Sequence, residues 1–524
     1  MSPNSEMSLR DVEDKEFIRS EMDSDPSGEK PVQERVEDVT QTTTLDEESQ
    51  QGTRMTKRKF MALVSQAFLW TGSQIPVYLF GAVPPYIYRD IGGHDRWIWL
   101  ILANLLSLAA ICPFVGSLSD LFGRRYVALV GAAFIVLGMI IVSTAQTMNI
   151  VIGGMTFAGI GAGINELTAL AATSELAPVA KRGKYVGILV FTITPFCPSV
   201  LYGQLIAYYA SWRYIGLFCA LWASIGLILT AIFYFPPPRV NTDTISRREI
   251  LRRTDIIGGF LSISGMILFM AGMQWGGYDY PWTSPHTLVP LLLGVFLLIL
   301  FIIWEGWFAE YPMFPKRIIQ SPRILTLTLI ITFISGANFF SILMFWCGAM
   351  AVGRIDNMYQ LWAILVLAGL GIGGIVVPAS IITMIICPDD LIATVAALTL
   401  SIRVIGGSIG YCIYYNIFIN KFTPAAIYYI GGTLYLGGIK SKEIVEEVIV
   451  LTGSALLEEI KQIPGIAGNE ILYDAVIKAG QIAFAESYKY VYFASIAFGS
   501  ISIFAALFLG DISKYMDDHV AVTM

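Results

Sequence analysis

Between residues 61 and 510 the chain repeats apolar runs of membrane-spanning length, and the short polar connectors between them carry clustered Lys and Arg only at every second position. A hydrocarbon core about 30 Å thick needs about 20 apolar residues per helix and offers no water to unpaired backbone groups. Runs of this length therefore form helices, and a chain that strings many of them together is an all-α polytopic membrane protein. Composition agrees: 55% of residues are hydrophobic and 14% are charged, with a mean hydropathy of +0.64. That leaves too little polar surface to clothe a soluble protein of 524 residues.

Windows of this length place twelve spans near 61–88, 97–117, 126–146, 148–172, 184–210, 213–235, 256–275, 287–308, 324–347, 361–386, 392–419 and 490–510. Basic residues favour cytosolic connectors. Arg54, Lys57, Arg58 and Lys59 precede the first span, Arg124 and Arg125 follow the second, and Lys181, Arg182 and Lys184 follow the fourth. Arg239, Arg247, Arg248, Arg252 and Arg253 follow the sixth, and Lys316, Arg317 and Arg323 the eighth. Pro388, Asp389 and Asp390 after the tenth add no base, so parity alone fixes the side of that connector. Both termini are expected in the cytosol.

Residues 1–54 are acidic, rich in Ser, Thr and Gln and nearly devoid of aromatics, and they read as a disordered cytosolic tail. Residues 55–235 read as a six-helix bundle, 236–255 as a cytosolic linker opened by three prolines, and 256–323 as two further linker helices. A second bundle occupies 324–419. The stretch 420–489 is a long external loop whose Glu443, Ile444, Glu446, Glu447 and Val448 suit short amphipathic helices; 490–510 is the last span and 511–524 a cytosolic tail. The first span is expected to act as its own anchor, with no cleavable signal before it.

All six cysteines fall inside spans or at their edges and read as packing residues, with no disulfide and no metal site expected. His94, His286 and His519 lie in loops or the tail, which argues against a histidine proton relay. No Gly-x-x-x-x-Gly-Lys-Ser/Thr loop occurs, so ATP is not the expected energy source. Neither a catalytic constellation nor a cofactor or nucleic-acid site is legible, and the oligomeric state is open.

Charge within the membrane is the best pointer to function, because an ionisable group at that depth costs several kcal/mol unless paired or wetted. Glu166 lies inside the fourth span beside Asn165, and Arg403 lies about eleven residues into its span ahead of Gly406, Gly407 and Gly410. Either can carry protons or coupling; each can also be a structural partner of a neighbouring helix. Their separation in sequence says nothing about contact. Tyr78, Tyr86, Phe196 and Tyr202, with Gln204 and Asn338 as orienting groups, are candidates to line a greasy central cavity, against the competing account of aromatic belts and helix packing.

The sharpest local motif is Gly116-Ser-Leu-Ser-Asp120-Leu-Phe-Gly123-Arg124-Arg125, between the second and third spans. It resembles the loop motif of the major facilitator superfamily, whose acid and basic residues form a cytosolic latch for the outward-open state. A second set is more specific: Gly159 to Leu167, Ser174 to Pro178 with Lys181 to Tyr185, Leu201 to Leu205 with Ser211-Trp212-Arg213, Leu367 to Pro378, Cys387 to Leu391, and Ser401 to Tyr411. These resemble the fungal trichothecene-efflux branch of that superfamily. The resemblance implies proton-driven export of hydrophobic small molecules, of mycotoxin or antifungal type, across the plasma membrane.

Members of that branch usually have fourteen spans. Here the ninth span runs through Gly353 into Leu361 and the next glycine-rich span, so two helices are expected to be missing near 353–361. The fourth-span arginine and glutamine of many proton antiporters would fall at Met155 and Ala158, so proton handling does not carry over to those positions. Two alternatives stand beside export: a siderophore transporter, and a truncated membrane protein that does not transport.

Overall fold

The computed structural model describes residues 56–81, 83–93, 96–97, 99–236, 255–277, 280–319, 321–349, 374–453 and 457–515; the side chains of 117, 120–121, 200, 339–349, 390, 458 and 514 lie outside that description. The expected tail 1–54, most of the linker 236–255 and the stretch 353–361 therefore lie outside the described residues. The main helices are α1 (Lys57–Phe80), α2 (Pro84–Ile91), α3 (Trp99–Phe122), α4 (Arg124–Thr144), α5 (Met148–Leu176), α6 (Arg182–Phe191), α7 (Ser199–Tyr209) and α8 (Arg213–Phe233). They continue with α9 (Ile256–Trp275), α10 (Pro285–Ile303), α11 (Pro322–Ala349), α12 (Gly374–Ile385), α13 (Ile392–Ala426), α14 (Lys442–Gly453) and α15 (Glu470–Leu507).

Each of the twelve expected spans falls wholly or partly on helix. Among the described residues nine helices are long and apolar enough to cross a membrane, and Pro322–Asn338 and Gly374–Ile385 are shorter apolar helices. α1 falls short on hydropathy because Ser65, Gln66, Thr71 and Ser73 dilute it, and all four are buried. Its polar residues face protein, which marks it as a central helix. The first span stops at Gly81 rather than running to 88, and Pro84 opens a separate short helix. The fifth span is broken between α6 and α7, where Pro195 sits in a single 3-10 turn, Thr194–Phe196, and Pro198 precedes α7.

Glycine sets how closely the helices approach. A Cβ at Gly138 would strike the backbone of Gly154 and Ala158, joining α4 to α5. Gly336 on α11 lies against the backbone of Arg403, and Gly406 on α13 against that of Phe333, so these two helices touch main chain to main chain. Helices α1 to α8 make one half; α11, α12, α13 and α15 make the other; α9 and α10 pack on each other, and α9 reaches both α3 and α13.

Two ends of the molecule are distinguishable by their connectors. The basic-loop end carries the α3–α4 and α5–α6 turns and the α12–α13 turn. There a single apolar core unites residues of both halves, including Ala162, Leu167, Ile385, Ile392, Leu400 and Val404. At the far end each half has its own core, one around Ile75, Met139 and Ile215 and one around Phe418, Ile430 and Val476. Helix α13 does not stop near 419. It runs through a π-turn, Ile427–Gly431, to Leu436 as one rod of 45 residues, and α15 begins 20 residues before position 490, at Glu470. At 1.5 Å per residue the first rod is about 68 Å long, far more than the membrane needs. Its surplus is fastened to α15 by stacked Phe418, Phe422, Phe484 and Tyr488, whose ring centres lie 4.5–5.2 Å apart for the closest pairs.

Candidate functional site

Glu166 and Arg403, 237 positions apart in the sequence, meet at the centre of the molecule. Glu166 is ten residues from the end of α5 and Arg403 eleven from the start of α13. Both helix ends lie at the basic-loop end, so the two side chains sit at the same depth, about 15 Å in and near the middle of a 30 Å core. Arg403 Nη1 is 3.9 Å from Glu166 Oε1, and both side chains are 8% exposed. Gln74 Nε2 on α1 donates to Glu166 Oε2 at 3.0 Å, and Arg403 Nη2 donates to Ser380 Oγ on α12. One acid–base pair thus ties four helices, two from each half.

At such depth an isolated charge is prohibitive, and the pair neutralises itself while the amide and hydroxyl take up part of the remaining hydrogen-bonding capacity. Gln74 and Ser380 were not legible as site residues in the sequence. The only signal for Gln74 is its place in the polar stripe of α1; Ser380 carries none. Tyr78, one turn beyond Gln74, is half-buried and within electrostatic reach of Glu166.

The basic-loop end is closed by a second set of contacts. Arg182, 1% exposed, donates from Nε to Ser174 O at 3.2 Å, from Nη1 to Met384 O at 3.0 Å and from Nη2 to Asp389 Oδ1 at 2.7 Å. Ser174 Oγ reaches Met384 Sδ at 3.0 Å. The bonds to Met384 and Asp389 cross from the first half to the second. Gly116 lies where a Cβ would come within 2.8 Å of Ala397 Cβ and 3.1 Å of Thr394 Cα, so α3 and α13 converge there. In the sequence Arg182 counts as loop charge, Asp389 as an acid in a connector without bases, and all three, with Ser174, as family-motif residues, with no sign that they meet.

The other latch residues stay within the first half. Arg124 pairs with Glu175 with both side chains buried, and Nη1 donates to Ser119 O at 3.4 Å. Arg125 donates to Ala231 O at 2.9 Å and stacks 3.8 Å over the Phe235 ring. Gly123 holds φ +85°, the left-handed turn that caps α4. The side chain of Asp120 lies outside the description. The far-end motif Ser211-Trp212-Arg213 also serves the first half alone: Arg213 pairs with Asp90 and donates to Ala145 O at 2.9 Å, and Trp212 Nε1 donates to Asp90 at 3.0 Å. The two donors, Arg213 first, hold the Asp90 carboxyl below the usual carboxylate range.

The structure does not gather the expected cavity residues. Phe196 packs edge-on against Trp222 and tilted against Phe218. Tyr86 lies against the far-end core of the first half. Tyr202 and Gln204 are exposed on α7, and Asn338 accepts from Tyr414 Oη at 2.8 Å within the second half. A small cleft lies beside the central pair on its far side, about 20 Å³, lined by Leu102, Leu106, Met270, Gln274, Ser408 and Tyr411 among others. That is room for a water, not for a drug-sized molecule. Gln274 Nε2 bridges it to Ser408 Oγ at 3.3 Å.

Two helical halves that share one core at the basic-loop end and meet at a buried ion pair have the architecture of the major facilitator fold. The chain belongs to the fungal trichothecene efflux pump (TRI12) family, whose profile matches residues 76–352 and 342–524. It is 32% identical over 268 residues to the MFS-type transporter ucsD of Acremonium sp, covering 50% of this chain and 44% of that protein. It is 30% identical over 296 residues to the MFS-type transporter sphD of Aspergillus fumigatus, covering 55% and 49%. The matched stretch is about half the length of these relatives. Against the trichothecene efflux pump TRI12 of Fusarium sporotrichioides, identity is 25% over 503 residues, covering 83% of each protein. That share is about 435 of the 524 residues here, so roughly 68 of the 503 aligned positions have no counterpart in this chain. Likeness to solved structures is slight: the human organic anion transporter MFSD10 (TETRAN) superposes with a TM-score of 0.43 at 12% identity, covering 87% of this chain and 100% of that one.

Proposed function

We propose that the protein exports hydrophobic small molecules across the plasma membrane in exchange for protons, with its basic-loop end in the cytosol and Glu166 as the proton carrier. The observation that carries this reading is the buried Glu166–Arg403 pair spanning both halves at mid-depth. A carboxylate there is stabilised by the guanidinium, and the pair holds the halves together. At about 4 Å and an effective dielectric near 20 the attraction is about 4 kcal/mol. Protonating Glu166 removes it, leaving Arg403 with Ser380 as its bonded partner, and lets the cytosolic end open. An exchange of proton for substrate follows when substrate occupies only the state with the carboxylate ionised. The relatives named as efflux pumps support the export direction.

The test is accumulation of a tritiated trichothecene by inverted plasma-membrane vesicles with an imposed pH gradient. Gradient-driven accumulation by the wild-type chain, lost in Glu166→Gln and Arg403→Ala, supports the reading. Equal accumulation in all three removes it. The roughly 68 unmatched positions favour a second reading, a chain that keeps the family fold without a helix pair and does not transport. In that case flux appears only when a relative's helix pair is inserted between α11 and α12.

A further inference from the structure

Along the seam between α1 and α5, on the basic-loop side of Glu166, three buried side chains have a polar atom with no hydrogen-bond partner among the described residues: Gln66 Oε1 and Trp70 Nε1 on α1, and Thr173 Oγ1 on α5. They are 0, 6 and 2% exposed, so bulk water does not reach them. Arg403 Nε, beside Glu166, is in the same position. Each unmet buried donor or acceptor costs about 1–3 kcal/mol. Ordered water is the usual remedy where several polar atoms converge.

Two contacts fix the register of α1 against the antiparallel α5. Gln74 meets Glu166, and Ala62 packs with Ala172 and Leu176. Gln66, Trp70 and Gln74 repeat every fourth residue and share one face of α1. Between the two fixed points Trp70 comes level with the turn after Glu166, and Gln66 with Thr173, two turns after it. The row is about 12 Å long from Gln74 to Gln66 and leads from Glu166 toward the end closed by Arg124–Glu175. Its chemistry alternates: the indole N–H only donates, the amide oxygen accepts, and the hydroxyl does both. Asn104 Oδ1, also unmet, lies off this line, beside Met155 toward the far end.

We infer that this row holds a file of water through which Glu166 exchanges its proton with the cytosol, along the α1–α5 seam inside the first half. The proton and the transported molecule then use different routes, because the seam bypasses the Arg182 contacts between the halves. The carboxyl gives its proton to the first water, each water passes one of its own to the next, and the Thr173 hydroxyl accepts one and releases one. Only O–H bonds are made and broken, and the carboxylate left behind pairs with Arg403. Among the described residues, the other titratable groups within electrostatic reach of Glu166 are Arg403, Cys112 and Tyr78. None of them lies on the row.

The inference rests on Glu166 as proton carrier, and its test separates the two. The full chain is reconstituted in phosphatidylcholine vesicles and the cytosolic face is acidified rapidly while the infrared carboxyl band lost in Glu166→Gln is followed. The expected result is a fast rise of that band on cytosolic acidification. Thr173→Val, which keeps the shape and deletes the hydroxyl, slows it about tenfold, the kinetic equivalent of one hydrogen bond, and Thr173→Ser restores it to within about twofold. Gln66→Leu acts like Thr173→Val. Unchanged kinetics in both apolar variants, or a band that responds only to acid on the outer face, overturns the water file while leaving Glu166 as carrier. A band that responds to acid on neither face overturns the carrier reading itself.

Discussion

The two ends of the molecule are held by the same kinds of residue used in opposite ways. At the basic-loop end Arg182 reaches across to Met384 and Asp389, Ser174 meets Met384, and Gly116 lets α3 close on α13, so these contacts join the two halves, while Arg124 and Arg125 brace the first half alone. At the far end Arg213, Trp212 and Asp90 bind one another within the first half, and the aromatic stack from Phe418 to Tyr488 stays within the second. The cores repeat the division, shared at one end and forming two clusters at the other, where Leu451 packs against both. An arginine that crosses between halves works as a lock; an arginine that stays inside one half works as a brace. The described state is therefore the one closed at the basic-loop end, and the central ion pair lies just behind that closure.

The largest effect is expected from Arg182→Ala, which removes three hydrogen bonds, two to carbonyls and one to a carboxylate. Removing one partner of a buried pair costs about 3–5 kcal/mol. Asp389 is 35% exposed, which places the loss near the lower figure. Thermal unfolding in detergent should show a clear drop in Tm, with increased labelling of a cysteine placed at Thr394. Gly116→Leu should follow at about 1–3 kcal/mol, since the added side chain must displace Ala397 and the Thr394 backbone; the same labelling assay reads it. Asp389→Asn keeps a hydrogen-bond acceptor for Arg182 and should cost about 1 kcal/mol.

At the far end Asp90→Asn should cost less than about 1 kcal/mol, because the Asp90–Arg213 pair is largely exposed, and labelling at Thr394 should not change. If it rises as much as in Arg182→Ala, the division between lock and brace is wrong. The lowered Asp90 pKa gives a sign as well. Its contribution is fully present above the unfolded carboxylate value of about 3.9 and fades as pH falls through the lower folded value. Asp90→Asn should therefore narrow the stability gap with wild type only in strong acid.

Spans were legible because apolar length is a local property, and the family because its motifs are short runs of adjacent residues. Pairing was not. Glu166 and Arg403 stood out singly as charges at depth, but only the packing of α5 against α13, with the two residues at matching distances from their helix ends, brings them together. Arg182 resembled its neighbours Lys181 and Lys184 as loop charge, and what sets it apart is burial against α12, a fact of tertiary packing. The proposed boundaries at 419 and 489 marked where hydropathy falls. The helices continue past them because α13 and α15 bury an aromatic seam against each other there. The fifth span was expected as one run over 184–210, and it breaks because Pro195 and Pro198 remove backbone donors.

The central claim is that the ionised Glu166–Arg403 pair keeps the basic-loop end shut. Spin labels at Lys181 and Pro388, in a chain whose native cysteines are replaced by serine, report the separation of the halves there by double electron–electron resonance. In Glu166→Gln, which imitates the protonated acid, the distance distribution should shift to longer values at neutral pH, and wild type should make the same shift on acidification. Distributions that coincide for wild type and Glu166→Gln at every pH would contradict the account.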